Sequence, residues 1–277
     1  MQKQAIGIFD SGYGGLTVLK EIVKELPEND FLYLGDNARS PYGPRSFETI
    51  YDYTLQAVKY LFAQGCHLVV LACNTASAKA LRNIQQLDLP KLAPHKRVLG
   101  IIRPTTEIIG NFTQSKHVGI LGTKGTVKSK SYLTEIERLW PQVKAFQQAC
   151  PMWVPLVENG ELDNLGASYF IEKDLKALLA QSAKIDTILL ACTHYPLLLP
   201  LIKWNVPKRV KVVSQGGIVA KSLKAYLLRH PEIAGHCSRS GKLKFQTTGD
   251  AADFDEKGTF FFGKEVRSQK VQLSGGM

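Results

Sequence analysis

The amino-acid sequence predicts an α/β fold with two similar three-layer domains, mostly parallel sheets and a ligand-binding cleft between the domains. Short apolar runs alternate with helical patterns along almost the whole chain of 277 residues. This alternation is typical of βαβ units, whose right-handed crossovers keep neighbouring strands parallel. No stretch rich in Gly, Pro or Ser divides the chain, and an internal echo indicates that the same plan occurs twice.

The internal echo has two parts, each of which pairs a segment of the first half with one of the second. IGIFDSGYGG (6–15) resembles VGILGTKGT (118–126), and HLVVLACNTAS (67–77) resembles DTILLACTHYP (186–196). In all four segments a buried strand breaks into a turn that carries hydroxyl or amide side chains. The chain therefore carries two half-chains with the same βα plan.

The echo also suggests how the chain divides into domains. We predict that residues 1–98 plus 210–277 form the first α/β domain, which holds Asp10 and Cys73, and that residues 99–209 form the second, which holds Glu158 and Cys192. In this division the basic C-terminal stretch returns to complete the first domain.

Strands are predicted where short apolar runs meet residues that break secondary structure. HLVVLAC is a continuous apolar run, as expected for a parallel strand that is buried on both faces. The predicted strands are AIGIF (5–9), FLYLG (31–35), HLVVLAC (67–73), RVLGII (97–102), HVGILG (117–122), DTILLAC (186–192) and RVKVV (209–213).

Helices are predicted where apolar residues recur at the spacing of one helix face. LTVLKEIVKEL shows the i, i+3, i+4 pattern of an amphipathic helix. The predicted helices are LTVLKEIVKEL (16–26), FETIYDYTLQAVKYLFAQG (47–65), SAKALRNIQQL (77–87), YLTEIERLW (132–140), SYFIEKDLKALLAQSA (168–183) and IVAKSLKAYLLRH (218–230).

Composition excludes several classes of protein. Hydrophobic residues make up 44% of the chain and charged residues 21%, so it can bury a core and is not disordered. Five cysteines without a CxxC pair argue against a disulfide scaffold and against a structural zinc site. No apolar run reaches the roughly 18 residues that span a bilayer, and the N-terminus has no signal-peptide pattern. We expect a soluble protein of the reducing cytoplasm with no membrane partner.

The charge is strongly positive and unevenly placed. The chain has a net charge of +11, of which +8 lies in residues 203–277. Because these cations are interleaved with apolar residues at helix and strand spacing, we favour a solvated basic face over a nucleic-acid groove. Such a field would also attract a small anionic substrate.

Chemically active side chains follow four of the predicted strands. The first strand ends in Asp10-Ser11 and its echo in Gly122-Thr123, while the third ends in Cys73-Asn74-Thr75 and its echo in Cys192-Thr193-His194. Ligands of open α/β sheets bind at the carboxyl ends of strands. If the two halves face each other, two thiols look across a cleft from opposite sides.

The paired thiols leave three chemical interpretations open. They could form a disulfide if their Cα atoms were close, or one could act as a nucleophile with a histidine. Two facing acid–base groups also suit removal of a proton from one face of a carbon and delivery to the other, which inverts a stereocentre. Asp10 could then activate Cys73, and His194, helped by Glu158, could activate Cys192. The remaining Cys66, Cys150 and Cys237 are interpreted as small core residues.

Hydroxyl and amide groups near the strand ends could bind carboxylate and ammonium groups of a ligand, although each alone is more often a helix cap. These residues are Ser11, Asn74, Thr75, Thr123, Thr126 and Thr193. Tyr42 and Gly43 lie in a turn-rich loop in which glycine would let the backbone approach a ligand. No phosphate loop, GxGxxG pattern or lysine motif for pyridoxal phosphate is present, so we expect no cofactor and no metal.

The motifs together resemble glutamate racemase, a cofactor-independent amino-acid racemase of the aspartate/glutamate racemase superfamily. The stretches that carry the resemblance are IGIFDSGYGGLTVL, YLGDNARSPYG, LVVLACNTASA, GILGTKGTVKSKSY, VPLVENGELD, ILLACTHYPLL and FQTTGD. They run from residue 6 to about residue 250. CNT together with CTHYP separates this family from aspartate and hydantoin racemases.

The resemblance implies a fold, a reaction and a set of site residues. It implies two α/β domains related by pseudo-twofold symmetry, with glutamate between them and with D-glutamate supplied to peptidoglycan synthesis. Catalysis falls to Cys73, acting on D-glutamate, and Cys192, acting on L-glutamate. Asp10, Glu158 and His194 match the supporting acid–base residues. The matched substrate contacts are Asp10, Ser11, Tyr42, Gly43, Asn74, Thr75, Thr123, Thr126, Thr193 and His194.

Some positions depart from the family pattern, and two other functions stay open. Arg103 replaces a common acidic residue and Val213 replaces a common aspartate, which bears on packing or assembly. Asp10 lies within ten residues of the start, so we expect no activation through an N-terminal extension. The resemblance allows a homodimer. A nucleic-acid or gyrase contact on the basic face, and a thiol redox function, are less favoured alternatives because neither has a supporting motif.

Overall fold

Two β-sheets dominate the computed structural model, which describes residues 3–273. The first sheet contains β1 (Ile6–Asp10), β2 (Phe31–Gly35), β3 (Leu68–Leu71), β4 (Arg97–Gly100), β9 (Leu243–Thr247) and β10 (Ser268–Lys270). The second contains β5 (His117–Gly122), β6 (Lys144–Ala149), β7 (Thr187–Ala191) and β8 (Lys211–Val213). Every strand pairing recorded in the described range is parallel.

Helices occupy most of the chain between the strands. The longer ones are α1 (Gly15–Glu25), α2 (Phe47–Ala63), α8 (Ser131–Leu139), α10 (Leu165–Ala180), α12 (Gly216–Arg229) and α14 (Ala251–Phe262). The shorter ones are α3 (Asn74–Lys79), α4 (Leu81–Asn83), α5 (Leu89–Leu92), α6 (Ile102–Ile108), α7 (Lys124–Ser129), α9 (Trp153–Glu158), α11 (Leu199–Asn205) and α13 (Pro231–Ala234). A π-helical turn spans Ile84–Asp88, and 3₁₀ turns span Asn37–Arg39, Ile109–Asn111 and Tyr195–Leu198.

Both sheets repeat one strand order. The first sheet runs β10-β9-β2-β1-β3-β4 and the second runs β6-β5-β7-β8. The order β2-β1-β3-β4 therefore matches β6-β5-β7-β8, with β1 equivalent to β5 and β3 equivalent to β7. This repetition is what the two echoing sequence segments predict, because each echoing pair falls on equivalent strands.

Helices cover both faces of each sheet, so each half has three layers. On β1, Ile8 packs in one hydrophobic cluster with Leu19 of α1, whereas the next residue, Phe9, packs in another with Leu61 of α2. On β7, Leu190 packs with residues of α10, and the preceding Leu189 packs with residues of α8. Successive strand residues point to opposite faces, so the alternation shows that neither face is left open. The predicted α/β fold class is confirmed.

The predicted strands all occur, with ends shifted by a few residues. The helix predicted at 77–87 begins earlier, at Asn74, and its helical path breaks at Ala80 before continuing to Leu92. The sequence patterns missed β6, β9, β10 and α14. These strands contain polar residues and lie at or near sheet edges, so they lack the continuous apolar run that marked β3.

The chain passes between the two halves twice. Strands β9 and β10 pair within the first sheet, in line with a C-terminal return to the first domain. Strand β8 pairs with β7 instead, with Lys211 opposite Thr187. This short strand therefore lies in the second sheet, whereas the predicted division placed all residues from 210 onward in the first domain. The exact limits of the two domains stay a prediction.

The two departures from the family pattern lie outside the four strand-end segments that carry the polar groups. Arg103 is exposed on α6 and forms an ion pair with Glu107 at 2.9 Å. Val213 is buried at the end of β8. Within residues 3–273, none of the helices combines the length and the apolar character that crossing a bilayer requires.

A matched pair of leucine substitutions tests the buried sheet. Leu189 on β7 is fully buried, whereas Leu165 at the start of α10 is 90% exposed. We expect Leu189→Ala to lower the free energy of unfolding by about 2–5 kcal/mol because it leaves a cavity, and Leu165→Ala to change it by less than about 0.5 kcal/mol. Urea unfolding followed by circular dichroism measures both. Equal unfolding midpoints for the two variants would contradict the assigned packing.

Candidate active site

The carboxyl ends of β1, β3, β5 and β7 meet where the two halves face each other. The hydroxyl of Thr75, after β3, lies 2.9 Å from the hydroxyl of Thr123, after β5. The hydroxyl of Thr17 on α1 donates to the carbonyl of Thr193, after β7, at 2.8 Å. These contacts join residues from different sheets, so the polar strand ends form one site.

Cys73 ends the β3 segment and caps α3. Its Sγ accepts a hydrogen bond from the backbone N–H of Ala76 at 3.4 Å and lies 3.5 Å from the hydroxyl of Ser11. The side chain is buried, and burial followed by the negative charge of Asp10 raises the pKa of the thiol to about 12. A negative charge on Cys192 would raise this pKa further.

Asp10 is a buried carboxyl group with one oxygen that lacks a protein partner. Its Oδ2 accepts from the backbone N–H of Gly12 at 2.9 Å, whereas its Oδ1 has no hydrogen-bond partner among the described residues. Burial raises the pKa of Asp10 to about 6, although the positive charge of His194 opposes this. An unpartnered oxygen in a buried site is costly, so this atom is available to a ligand donor.

Cys192 has a cationic neighbour. Its Sγ lies 3.9 Å from Nδ1 of His194, and Nε2 of the same ring lies 2.9 Å from Oε1 of Glu158. Burial disfavours the protonated ring, but the hydrogen bonds to Cys192 and Glu158 outweigh it and raise the pKa of His194 to about 10. His194 is therefore protonated at neutral pH, and its positive charge stabilises negative charge on the nearby sulfur.

Packing holds this histidine and its carboxylate in place. Glu158 is the last residue of α9, whose buried Trp153 packs against Tyr195 with ring centroids 4.8 Å apart. The hydroxyl of Tyr195 donates to the carbonyl of Cys150 at 3.1 Å. Phe261 of α14 presents its ring edge-on to His194 at 5.2 Å, so the second thiol's partners are fixed from both halves.

Glycine 14 permits the halves to approach this closely. A Cβ atom at this position would lie 2.2 Å from Oγ1 of Thr193 and 2.4 Å from Nδ1 of His194. Any side chain here would displace the histidine. Gly14 of the DSGYGG segment therefore serves the contact between the halves rather than a phosphate loop.

The threonines form a chain of hydroxyl groups across the site. The hydroxyl of Thr123 caps α7 by accepting from the backbone N–H of Thr126 at 3.2 Å, and the hydroxyl of Thr126 lies 3.1 Å from that of Thr123. Asn74 differs, because its side-chain amide is bonded to Gln215 and Tyr132. The backbone carbonyl of Thr193 accepts a hydrogen bond from the hydroxyl of Thr17.

The loop that holds Tyr42 and Gly43 touches the second half. The hydroxyl of Tyr42 donates to the carboxylate of Asp36, so this ring is anchored inside the first half. Gly43 lies against Thr123, and a Cβ on Gly125 would lie 2.8 Å from the carbonyl of Gly43. The backbone of Gly43 thus lies beside the threonine chain.

All the residues that the sequence assigned to a site lie around these strand ends, while their individual roles stay predictions. The sequence patterns missed Gln215, Tyr132 and Phe261, which hold site residues from behind. Gln215 lies in the VVSQGG segment, and no motif in that segment marks it as a site residue. The five cysteines are all free and buried, and no group of three or more potential metal ligands occurs within residues 3–273.

Comparison with known proteins identifies close similarities along the whole chain. A family model described as Asp/Glu/Hydantoin racemase matches residues 6–222. A glutamate racemase from Geobacter metallireducens is 41% identical over 267 residues, which cover 96% of this chain and 95% of that protein. A glutamate racemase from Bacillus cereus is 37% identical over 268 residues, covering 96% of each.

Solved structures show the same similarity. A glutamate racemase isoform from Bacillus anthracis superposes with a TM-score of 0.89 at 32% sequence identity and covers 99% of both chains. A glutamate racemase from Francisella tularensis in complex with D-glutamate superposes with a TM-score of 0.87 at 27% identity, again over 99% of both chains.

The protonation of His194 can be measured directly. We expect its ring signals to titrate near pH 10 in the native protein, because hydrogen bonds to Cys192 and Glu158 favour the imidazolium. Replacing Glu158→Gln removes one of these acceptors' charges, so the titration should move to lower pH. NMR of histidine ring protons measures both, with substitution of the exposed Glu137 of α8, Glu137→Gln, as the control. A native titration near pH 6.5 would refute the assigned charge.

Proposed function

The chain belongs to the Asp/Glu/hydantoin racemase family and is an amino-acid racemase, and from this premise we propose that it interconverts L- and D-glutamate by proton transfer between two thiols. The observation that supports the thiol mechanism is the placement of Cys73 and Cys192. They follow equivalent strands, β3 and β7, whose carboxyl ends meet where the two halves face each other. Two acid–base groups on opposite sides of a carbon can invert it.

The neighbours of the two sulfur atoms differ in charge. Asp10 and burial favour the protonated thiol at Cys73, whereas the protonated ring of His194 lies beside Cys192. The surroundings of Cys73 therefore favour the thiol there, and the ring of His194 beside Cys192 favours negative charge on that sulfur. This arrangement is set to act on L-glutamate, with Cys192 as the base and Cys73 as the acid.

The proposed reaction removes one proton from the α-carbon and returns one proton to its opposite face. The Cys192 thiolate removes the α-proton of L-glutamate, and the Cys73 thiol gives its proton to the opposite face of the α-carbon. D-glutamate results, with a thiol at Cys192 and a thiolate at Cys73. The reverse reaction begins from that second state. Because both protons belong to this chain or the substrate, we propose that no cofactor takes part.

The polar groups of the site fit a dicarboxylic amino acid. The unpartnered Oδ1 of Asp10 would accept a hydrogen bond from the substrate ammonium group, which would also favour the thiolate at Cys73 by bringing positive charge beside it. We assign binding of the two carboxylates to Ser11, Asn74, Thr75, Thr123, Thr126, Thr193 and His194, with Tyr42 and Gly43 shaping the adjacent wall.

Entry of glutamate requires the two halves to separate. Cys73, Thr75, Thr126 and Cys192 are all at most 6% exposed, and the contact between Thr75 and Thr123 spans the site. We propose that this contact opens for exchange and closes for reaction, which excludes water during proton transfer. The D-glutamate product would serve peptidoglycan synthesis in the cytoplasm. Assembly as a homodimer stays a prediction.

Substitution of each thiol tests the mechanism. We expect Cys73→Ala and Cys192→Ala each to lower kcat for glutamate racemisation by at least about 10²–10⁴-fold, because each removes one acid–base group. Circular dichroism with either enantiomer, without added cofactor, follows the reaction. The control is Cys66→Ala, which should retain activity. Cys66 is a buried cysteine of the hydrophobic cluster that contains Phe9 and Leu61.

The outcomes separate the proposal from its alternatives. Full activity in either Cys73→Ala or Cys192→Ala would refute the two-thiol mechanism. Turnover of aspartate but not glutamate by the native protein would instead assign a different substrate within the family.

The pH dependence follows from Asp10 and His194. The ratio kcat/KM should rise as pH increases through about 6, where Asp10 loses its proton, and fall above about 10, where His194 loses its own. The profile is bell-shaped and reports the coupled groups. Glu158→Gln should move the alkaline limb to lower pH. If the limb came instead from deprotonation of the substrate's amino group, this substitution would leave it in place. A profile that stays flat from about pH 5 to about pH 11 would contradict the assignment.

A further inference from the structure

Gln215 is a buried side chain with an unusually complete set of hydrogen bonds. It is 3% exposed and lies between β8 and α12. Its Oε1 accepts from Nδ2 of Asn74 at 2.7 Å. Its Nε2 lies within bonding distance of three acceptors, namely the hydroxyl of Tyr132 at 2.7 Å, Oγ1 of Thr105 at 3.0 Å and the carbonyl of Ile101 at 3.2 Å.

Three of these residues form a closed ring of hydrogen bonds. Asn74 donates to Gln215, Gln215 donates to the hydroxyl of Tyr132, and Tyr132 donates back to Oδ1 of Asn74 at 2.5 Å. Every bond in the ring runs in the same direction, so each one polarises the next. The ring fixes which way the Asn74 amide points, because a flipped amide would place its Oδ1 against Oε1 of Gln215, and both atoms are acceptors.

The ring joins parts of the chain that belong to both halves. Asn74 begins α3 directly after Cys73, and Tyr132 lies on α8, whose residues pack against the second sheet. Gln215 and Ile101 lie on the two connections between the sheets, after β8 and after β4 respectively. Helix α12, which Gln215 precedes, packs against α1 of the first half. The ring is thus the buried polar contact at which both connections meet the start of α3.

We infer that Gln215 is a positioning residue for the first thiol: it holds Asn74, and through it the start of α3 and Cys73, at a set place relative to the second half. This inference rests on the proposed function. Gln215 itself touches neither sulfur, so it acts through Asn74. Loss of the ring leaves Cys73 in the chain but no longer aligned with the α-carbon held opposite Cys192.

Gln215→Met tests this role, because methionine keeps the length and removes both polar atoms. We expect kcat to fall by about 10- to 100-fold, as small misplacements of reacting groups do. Because the enantiomers are equal in free energy, kcat/KM must fall equally in both directions. The discriminating readout is the isotope effect with [2-²H]glutamate. A misplaced Cys73 transfers protons more slowly relative to Cys192. The isotope effect should therefore increase for D-glutamate, whose α-proton Cys73 removes, and decrease for L-glutamate, whose α-proton Cys192 removes.

Two further variants keep the test decisive. Tyr132→Phe removes only one hydroxyl from the ring. For each enantiomer it should shift the isotope effect in the same direction as Gln215→Met does. Thr54→Val removes a buried hydroxyl of α2 that donates to the carbonyl of Ile50 at 2.6 Å and is not part of the ring. It should leave both isotope effects as in the native enzyme. The double variant Gln215→Met/Tyr132→Phe should lose little more than Gln215→Met, because both break one ring.

The failures of the two proposals are distinguishable. If the native protein does not racemise glutamate, the proposed function fails. If it does, and both Gln215→Met and Tyr132→Phe keep native kcat or lower it without separating the two isotope effects, then Gln215 only stabilises the fold and the inference is overturned.

Discussion

Burial of ionisable groups between the carboxyl ends of two sheets is the constraint on which the rest of the structure depends. A charge removed from water needs a partner of opposite sign or a set of hydrogen bonds. On the second side this need is met inside the chain, since His194 lies between Cys192 and Glu158. On the first side it is met only in part, since one oxygen of Asp10 has no hydrogen-bond partner within residues 3–273. The two sides therefore share a backbone plan but not an electrostatic environment.

This difference gives the symmetric fold a chemical direction. A two-sided proton transfer works only when one sulfur carries a proton and the other does not. Two identical half-sites would leave the location of that proton undecided. In the proposed mechanism, the carboxyl group of Asp10 beside Cys73 and the ring of His194 beside Cys192 bias the proton to Cys73.

Part of this could be predicted from particular residues in the sequence. The apolar runs of β1, β3, β5 and β7 are clear because these strands lie inside their sheets and are buried on both faces. Strand β6 (Lys144–Ala149) is less clear, since its residues are only partly buried or exposed and it lies at a sheet edge. Strand β10, with the sequence SQK, carries no apolar signal because it too is an edge strand. The placement of β8 depends on which sheet offers it a free edge, which local pattern does not encode.

The sequence by itself determined the repeated βα plan and the equivalence of Cys73 and Cys192, because both arise from local strand and turn signals that recur along the chain. Only the tertiary structure decided which groups surround each thiol. Glu158 reaches His194 across 36 positions, and Gln215 reaches Asn74 across 141. Hydrogen bonds and charges act over a few ångströms in space whatever the separation along the chain. Sequence reasoning could therefore offer Glu158 only as a candidate partner of His194, and no periodicity or motif pointed to Gln215.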